Sequence, residues 1–214
     1  EVLWDEDCLT LNIVTPGCTI PDGGGGRPVY VWIHGGAYKH GQGATPWYDG
    51  TSFATRGDIV VVTINYRLGA LGFCDLGSHL GGDFATCGIN GTLDQIAALN
   101  WIKANIGSFG GDPNCITVGG ESAGAFSVCN LLAMEAADGL FHRAIAQRGA
   151  AHHTFDPEEG SGIAAEFLGR LGNPSADELL AMDVGALLEA QEQVAAAEQE
   201  KQETQTVNVT EVTV

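Results

Sequence analysis

The chain has 214 residues, 44% of them hydrophobic, and a formal charge of -18. That length and composition suit one globular domain with a real core and exclude a disordered polar chain. Lys and Arg number 9 and form no cluster, so phosphate backbones and anionic membrane surfaces would be repelled, which speaks against nucleic acid or membrane as a partner. No apolar run approaches the ~20 residues that span a bilayer, and Glu1-Val2-Leu3-Trp4 shows no basic region leading into an apolar one. Glu1 is not a methionine, so localisation is not legible from this end.

In chain order, strands alternate with helices, the signature of a parallel or mixed sheet covered by helices on both faces. Cys8 to Val14 reads as a strand, and the glycine run Gly23 to Gly26 as a turn. A nucleotide loop would need a helix behind that run, and none follows. Pro28 to His34 and Ile59 to Asn65 are almost continuously apolar, as strands buried on both sides are. Leu93 to Ile106 carries apolar residues close to helical spacing. A strand over Cys115 to Val118, a helix over Ala123 to Met134 and a short strand over Arg143 to Gln147 follow. Helices are expected near Ile163 to Leu171, Ala176 to Met182 and Val184 to Glu200. The tail from Thr204 to Val214 alternates Thr and Val like a strand. No repeat or linker divides the chain, which reads as a single domain over 1-214. The acidic residues concentrate after position 155, where the charge run is expected to be a solvated helix face.

The six cysteines, Cys8, Cys18, Cys74, Cys87, Cys115 and Cys129, have no Cys-x-x-Cys spacing, which disfavours zinc and dithiol chemistry. Cys115 and Cys129 lie in apolar runs and are expected to be buried free thiols; any disulfide would involve the other four.

Gly120-Glu121-Ser122-Ala123-Gly124 fits the G-x-S-x-G pattern between a strand and a helix. A serine hydroxyl becomes a useful nucleophile only when exposed, aimed and deprotonated by a neighbour. A sharp turn at this junction would aim Ser122 Oγ out of the sheet's carboxyl edge, with glycines two residues before and after it to avoid collision. The alternative is an ordinary strand-to-helix turn. His34-Gly35-Gly36-Ala37, directly after a predicted central strand, is a second glycine-rich turn. Its amides, with that of the residue after the serine, would supply oxyanion donors, which assigns Gly36, Ala37 and Ala123. Here too a simple turn that needs glycine is the competing reading.

Glu6-Asp7-Cys8-Leu9-Thr10-Leu11-Asn12, Asn65-Tyr66-Arg67-Leu68-Gly69, Leu93-Asp94-Gln95 and the run from Gly110 to Gly124 together resemble the signatures of the type-B carboxylesterases, which include the cholinesterases. The resemblance extends from residue 6 to about 150 and more weakly to about 197. It implies an α/β-hydrolase fold, with a mostly parallel central sheet and helices on both faces, of which this chain would hold the N-terminal to middle portion as one incomplete domain. It also implies carboxylic ester hydrolysis through a serine nucleophile and an acyl-enzyme intermediate, on a small-molecule ester, without cofactor or metal. In that family the triad's carboxylate and histidine follow far downstream of the serine, so the chain by itself is expected to lack both and to be inactive. A non-catalytic interaction or adhesion protein of the same fold is the other reading, against which Ser122 argues.

Among the histidines, His142, His152 and His153 follow Ser122, but the helix behind the serine and the next strand take up the intervening length. His34 is expected to position the oxyanion turn or to have no role, and His40 and His79 to lie in loops. Three departures from the family pattern stand out. Ala37 replaces a frequent third glycine, and Gly119 replaces a frequent aromatic, which is expected to loosen packing. Arg148 stands where serine is usual; it either pairs with the triad carboxylate or turns into solvent.

Overall fold

The computed structural model describes residues 5-19, 25-151 and 154-211, with side chains described as far as 201 in the final helix. Two compact units divide the chain. One comprises Glu1–Gly72 and Ile89–Thr154, the other Phe73–Gly88 and Phe155–Val214.

The first unit is built on a sheet of β1 (Leu11–Val14), β2 (Arg27–Ile33), β3 (Val60–Ile64), β4 (Gly111–Glu121) and β5 (Arg143–Gln147). Their order is β1-β3-β2-β4-β5; β1 runs antiparallel to β3, and every other pairing is parallel. The near-continuous apolar runs behave as expected. All five residues of β3 are buried, and β2, at the centre, buries Val29, Val31 and Ile33. The first strand is shorter than Cys8 to Val14, because only Leu11 to Val14 find partners on β3.

β4 runs well beyond Cys115 to Val118. It is paired on both sides, with β2 as far as Gly120 and with β5 as far as Glu121, so ladder hydrogen bonds carry strand geometry through residues of low strand propensity. The register slips between Arg27 and Val29 of β2. Pro113, which has no N–H to give, falls in the β4 segment facing that slip. The outermost strand, β5, is exposed at all five residues.

Helices α1 (Thr51–Gly57), α4 (Asn90–Asn105) and α5 (Ala123–Ala133) belong to this unit, and α2 (Gly69–Phe73) lies at its boundary. Leu99 and Ile102 of α4, and Ala125, Val128 and Leu131 of α5, are buried. The expected looseness at Gly119 is not found. The ring of Tyr30 on the adjacent β2 fills the space, so that a β-carbon at position 119 would lie 2.2 Å from Tyr30 Oη.

The second unit contains α3 (Gly77–Leu80), α6 (Pro157–Arg170), α7 (Ala176–Leu180) and α8 (Val184–Glu211). His79, expected in a loop, sits in α3 and bonds to the Ser161 carbonyl at 2.9 Å. α6 starts six residues before Ile163. Asp156 caps it by accepting from the amides of Glu158 and Glu159, and Pro157 opens the first turn. Ser175 and Glu178 form a second reciprocal cap on α7.

Lys201 of α8 reaches Glu166 of α6 at 3.0 Å, and Arg170 reaches the same carboxylate. Hydrogen bonds from Lys201 and then Arg170 hold the Glu166 carboxyl below its ordinary range. The Thr/Val tail is helical, not a strand, as far as Glu211; residues 212-214 lie outside the described residues. A lone strand leaves its amides and carbonyls without partners, whereas a helix satisfies them within the segment.

None of the six cysteines forms a disulfide. Cys115 and Cys129 are half-buried and not, as expected, buried. It is Cys74 that is buried, its thiol pushed up to about 12, chiefly by burial. No helix among the described residues is long and apolar enough to cross a membrane.

Candidate functional site

Two turns meet at the carboxyl ends of β2 and β4. Ser122 closes β4 and caps α5 with φ 55° and ψ -121°, a left-handed conformation that side-chain-bearing residues seldom adopt. The geometry of the flanking glycines shows why. A β-carbon at Gly124 would lie 2.0 Å from the Ile33 carbonyl oxygen, and one at Gly120 would lie 2.5 Å from the Gly124 backbone. The helix therefore starts pressed against β2, and only a sharp reversal at Ser122 lets the chain turn there. The reversal is pinned by backbone bonds. Ser122 N–H donates to the Gln147 carbonyl at 3.0 Å, and Phe126 N–H donates to the Ser122 carbonyl at 3.0 Å. The serine side chain stays half-exposed, and its hydroxyl makes no hydrogen bond among the described residues.

The second turn follows β2. Gly36, Ala37 and Tyr38 all have positive φ, at 115°, 54° and 59°. The Gly36 carbonyl accepts from Lys39 N–H at 2.9 Å and His40 N–H at 3.1 Å, and the Tyr38 carbonyl accepts from Gly69 N–H at 2.7 Å. The N–H groups of Gly36 and Ala37 make no hydrogen bond among the described residues. This turn abuts the serine, since a β-carbon at Gly35 would lie 3.2 Å from Ser122 Cβ. Ala123 begins α5, where the first amides have no intrahelical acceptor. The four residues singled out in the sequence, Ser122, Gly36, Ala37 and Ala123, thus lie on two adjoining turns with unpaired amides beside an unbonded hydroxyl.

A polar scaffold that sequence reasoning did not assign holds these turns. Tyr66 Oη donates to the His34 carbonyl at 2.6 Å, and its ring stacks on His34 at 4.5 Å. Burial lowers the His34 imidazole below its ordinary pKa and raises that of the Tyr66 phenol. Arg67 grips the buried Asp94 carboxylate through Nε at 2.8 Å and Nη2 at 2.7 Å. Gln95 Nε2 donates to Ser127 Oγ on α5 at 3.0 Å, and that oxygen also lies 3.2 Å from Tyr38 Oη. Asn65 Oδ1 accepts from Gly43 N–H, and Asn65 Nδ2 donates to Thr10. Their signal in the sequence was the pair of motifs Asn65 to Gly69 and Leu93 to Gln95; what they bond to was not legible.

None of the described histidines of this unit hydrogen-bonds to Ser122. His34 is buried with Nδ1 on the Gly35 carbonyl at 2.8 Å. His40 stands in the turn. His142 Nδ1 accepts from Ile116 N–H at 3.1 Å, about five residues and roughly 16 Å back along β4 from its carboxyl end. His152 and His153 lie outside the described residues. Arg148, itself at φ 54°, pairs with Glu121 at 3.4 Å with its side chain 85% exposed. No three His, Cys, Asp or Glu side chains among the described residues gather as a metal site would require.

The model of the carboxylesterase family matches residues 2–213. The chain is 45% identical over 197 residues to the para-nitrobenzyl esterase of Bacillus subtilis, covering 91% of this chain and 39% of that protein. It is 51% identical over 144 residues to human carboxylesterase 3, covering 67% of this chain and 24% of that protein. Among solved structures, a carboxylesterase of Geobacillus stearothermophilus superposes with a TM-score of 0.82 at 47% identity, over 86% of this chain and 38% of that one. A thermophilic para-nitrobenzyl esterase superposes at 0.81 and 46% identity, over 91% of this chain and 39% of that one. The chain therefore spans about two-fifths or less of the length of these relatives. The mostly parallel sheet with its helices is that of the α/β-hydrolase fold, and the chain belongs to the carboxylesterase family.

Proposed function

We propose that this chain carries the nucleophile and the oxyanion donors of a carboxylic ester hydrolase acting on small-molecule esters. The observation that carries the reading is Ser122 held at φ 55° between β4 and α5, with the unpaired amides of Gly36 and Ala37 on the adjoining turn. Ser122 Oγ attacks the ester carbonyl, and the oxygen that becomes negative accepts from the amides of Gly36, Ala37 and Ala123. Each such donor contributes on the order of 3 kcal/mol in the transition state. The alcohol leaves, and water hydrolyses the acyl-enzyme.

The proton of Ser122 needs a base, which none of His34, His40 and His142 supplies. The family order implies a histidine and a carboxylate that follow the serine. Residues 1-214 alone are then expected to turn esters over poorly, with oxyanion and binding effects remaining. Because the family match runs from 2 to 213 without interruption, we read the chain as part of a single α/β-hydrolase domain.

The test is active-site labelling of the full-length protein with a fluorophosphonate, mapped by mass spectrometry, beside ester turnover. Adduct on Ser122, and a fall in kcat of about 10⁶ in Ser122→Ala, are expected. Label on another serine, or undiminished label in the variant, refutes the assignment.

A further inference from the structure

We propose that Arg148 is a specificity residue that favours esters carrying a carboxylate on the acyl or alcohol side; this rests on Ser122 being the nucleophile. The root of the side chain is fixed beside the serine. Gln147, its neighbour, accepts the Ser122 N–H at 3.0 Å. Gly149, on the other side, presses on α5 so closely that a β-carbon there would lie 2.7 Å from the Phe126 ring and 2.8 Å from Ala125 Cβ. Between these two anchors Arg148 is held at φ 54°, so its side chain is rooted in a clamped backbone at the edge that bears Ser122.

The guanidinium has capacity to spare. Among the described residues its one ion pair, Nη1 to Glu121 Oε1, is 3.4 Å long, with the arginine side chain 85% exposed and the glutamate 41% exposed. Charge-assisted pairs of full strength close to roughly 2.7–2.9 Å, and an exposed pair of this length holds the arginine weakly. A guanidinium offers five N–H donors in a planar fork that fits a carboxylate in bidentate fashion. In a chain of net charge -18, an anionic ester is otherwise repelled as it approaches. A cation rooted next to the nucleophile opposes that repulsion where it matters.

The experiment compares kcat/KM of the full-length protein for p-nitrophenyl butyrate with that for the mono-p-nitrophenyl ester of succinic acid, which places a carboxylate at the acyl tail. Arg148→Ser should lower kcat/KM for the succinate ester about five-fold, the size of an exposed charge pair, and leave the butyrate ester unchanged. Arg148→Lys should restore part of the loss, as a charge without the bidentate fork, and about 0.5 M salt should erase most of the parent's preference. An unchanged ratio in Arg148→Ser overturns the proposal, as does an equal gain on both esters, which would mean that the guanidinium acts on the catalytic groups. If both esters fall together, the salt series on the parent decides: a ratio insensitive to salt refutes the proposal, and a falling one sustains it. Ser122→Ala, run in parallel, separates the two ideas, because parent-like turnover there defeats the nucleophile assignment whatever the ratio does.

Discussion

The turns after β2 and β4 both force side-chain-bearing residues to positive φ, yet they are held in different ways. At Ser122 close contact is added to two backbone hydrogen bonds: α5 and β2 approach so closely that a β-carbon at Gly120 or Gly124 would collide with neighbouring backbone. At Ala37 and Tyr38 the restraint is a set of hydrogen bonds, from Lys39 and His40 to Gly36, from Gly69 to Tyr38, and from Tyr66 to the carbonyl of His34. Added volume at Gly124 meets a neighbouring strand; the turn after β2 is as closed at Gly36, where a β-carbon would lie 2.0 Å from the His40 carbonyl oxygen, but it also suffers when a donor from outside the turn is lost.

The sharpest way to break this contrast is Gly124→Ala. The added methyl would sit 2.0 Å from the Ile33 carbonyl oxygen, so a loss of about 3 kcal/mol is expected from overpacking. Thermal unfolding of the full-length protein should drop by about 3 °C. Gly162→Ala in α6, where the added methyl meets nothing within 4 Å, is the control and should raise stability by about 0.5–1 kcal/mol. Parent-like melting of Gly124→Ala would show that the helix start gives way.

Removing a donor from the other turn should cost less. Tyr66→Phe keeps the ring on His34 but leaves the buried His34 carbonyl without its phenol, for a loss of about 1–2 kcal/mol. Ester turnover should fall several-fold as the Gly36 and Ala37 amides lose their alignment. Denaturant melts read the first effect and steady-state kinetics the second; unchanged values in both would remove Tyr66 from the scaffold.

The smallest effect is expected for Ala37→Gly. Relief of the left-handed penalty and the greater freedom of glycine in the unfolded chain oppose each other, so stability should stay within about 0.5 kcal/mol with activity retained. A loss above 1 kcal/mol, measured by the same melts, would mean that the Ala37 methyl makes contacts the hydrogen-bonded picture omits.

The same division explains what could be read from the sequence. Sterics leave a local trace. Glycine stands at 120 and 124 because nothing larger fits, so the serine turn was legible, as were the apolar runs of β2 and β3. Hydrogen bonds between distant segments leave little trace. Nothing in the residues around Gln95 announces Ser127, and nothing around Tyr66 announces the carbonyl of His34. β4 was underestimated for a related reason, since Gly119 and Gly120 become strand through their pairing with β2 and β5. The early start of α6 was different: Asp156-Pro157-Glu158-Glu159 carries a cap, a first-turn proline and an acidic third position that were there to be read. The Thr/Val tail misled because alternation describes a face, and a face needs something to lie against.

The backbone at Ser122 also bears on how such a sequence drifts. Glycine enters the left-handed region without the penalty a serine meets there, and a single nucleotide change converts some serine codons into glycine codons. If folding were all that mattered, mutation would carry position 122 toward glycine and the protein would gain stability on the way. Under the proposed function a serine is kept in that conformation for its hydroxyl, and a lineage that no longer needs ester hydrolysis should lose that hydroxyl early, long before the surrounding glycines and strands decay.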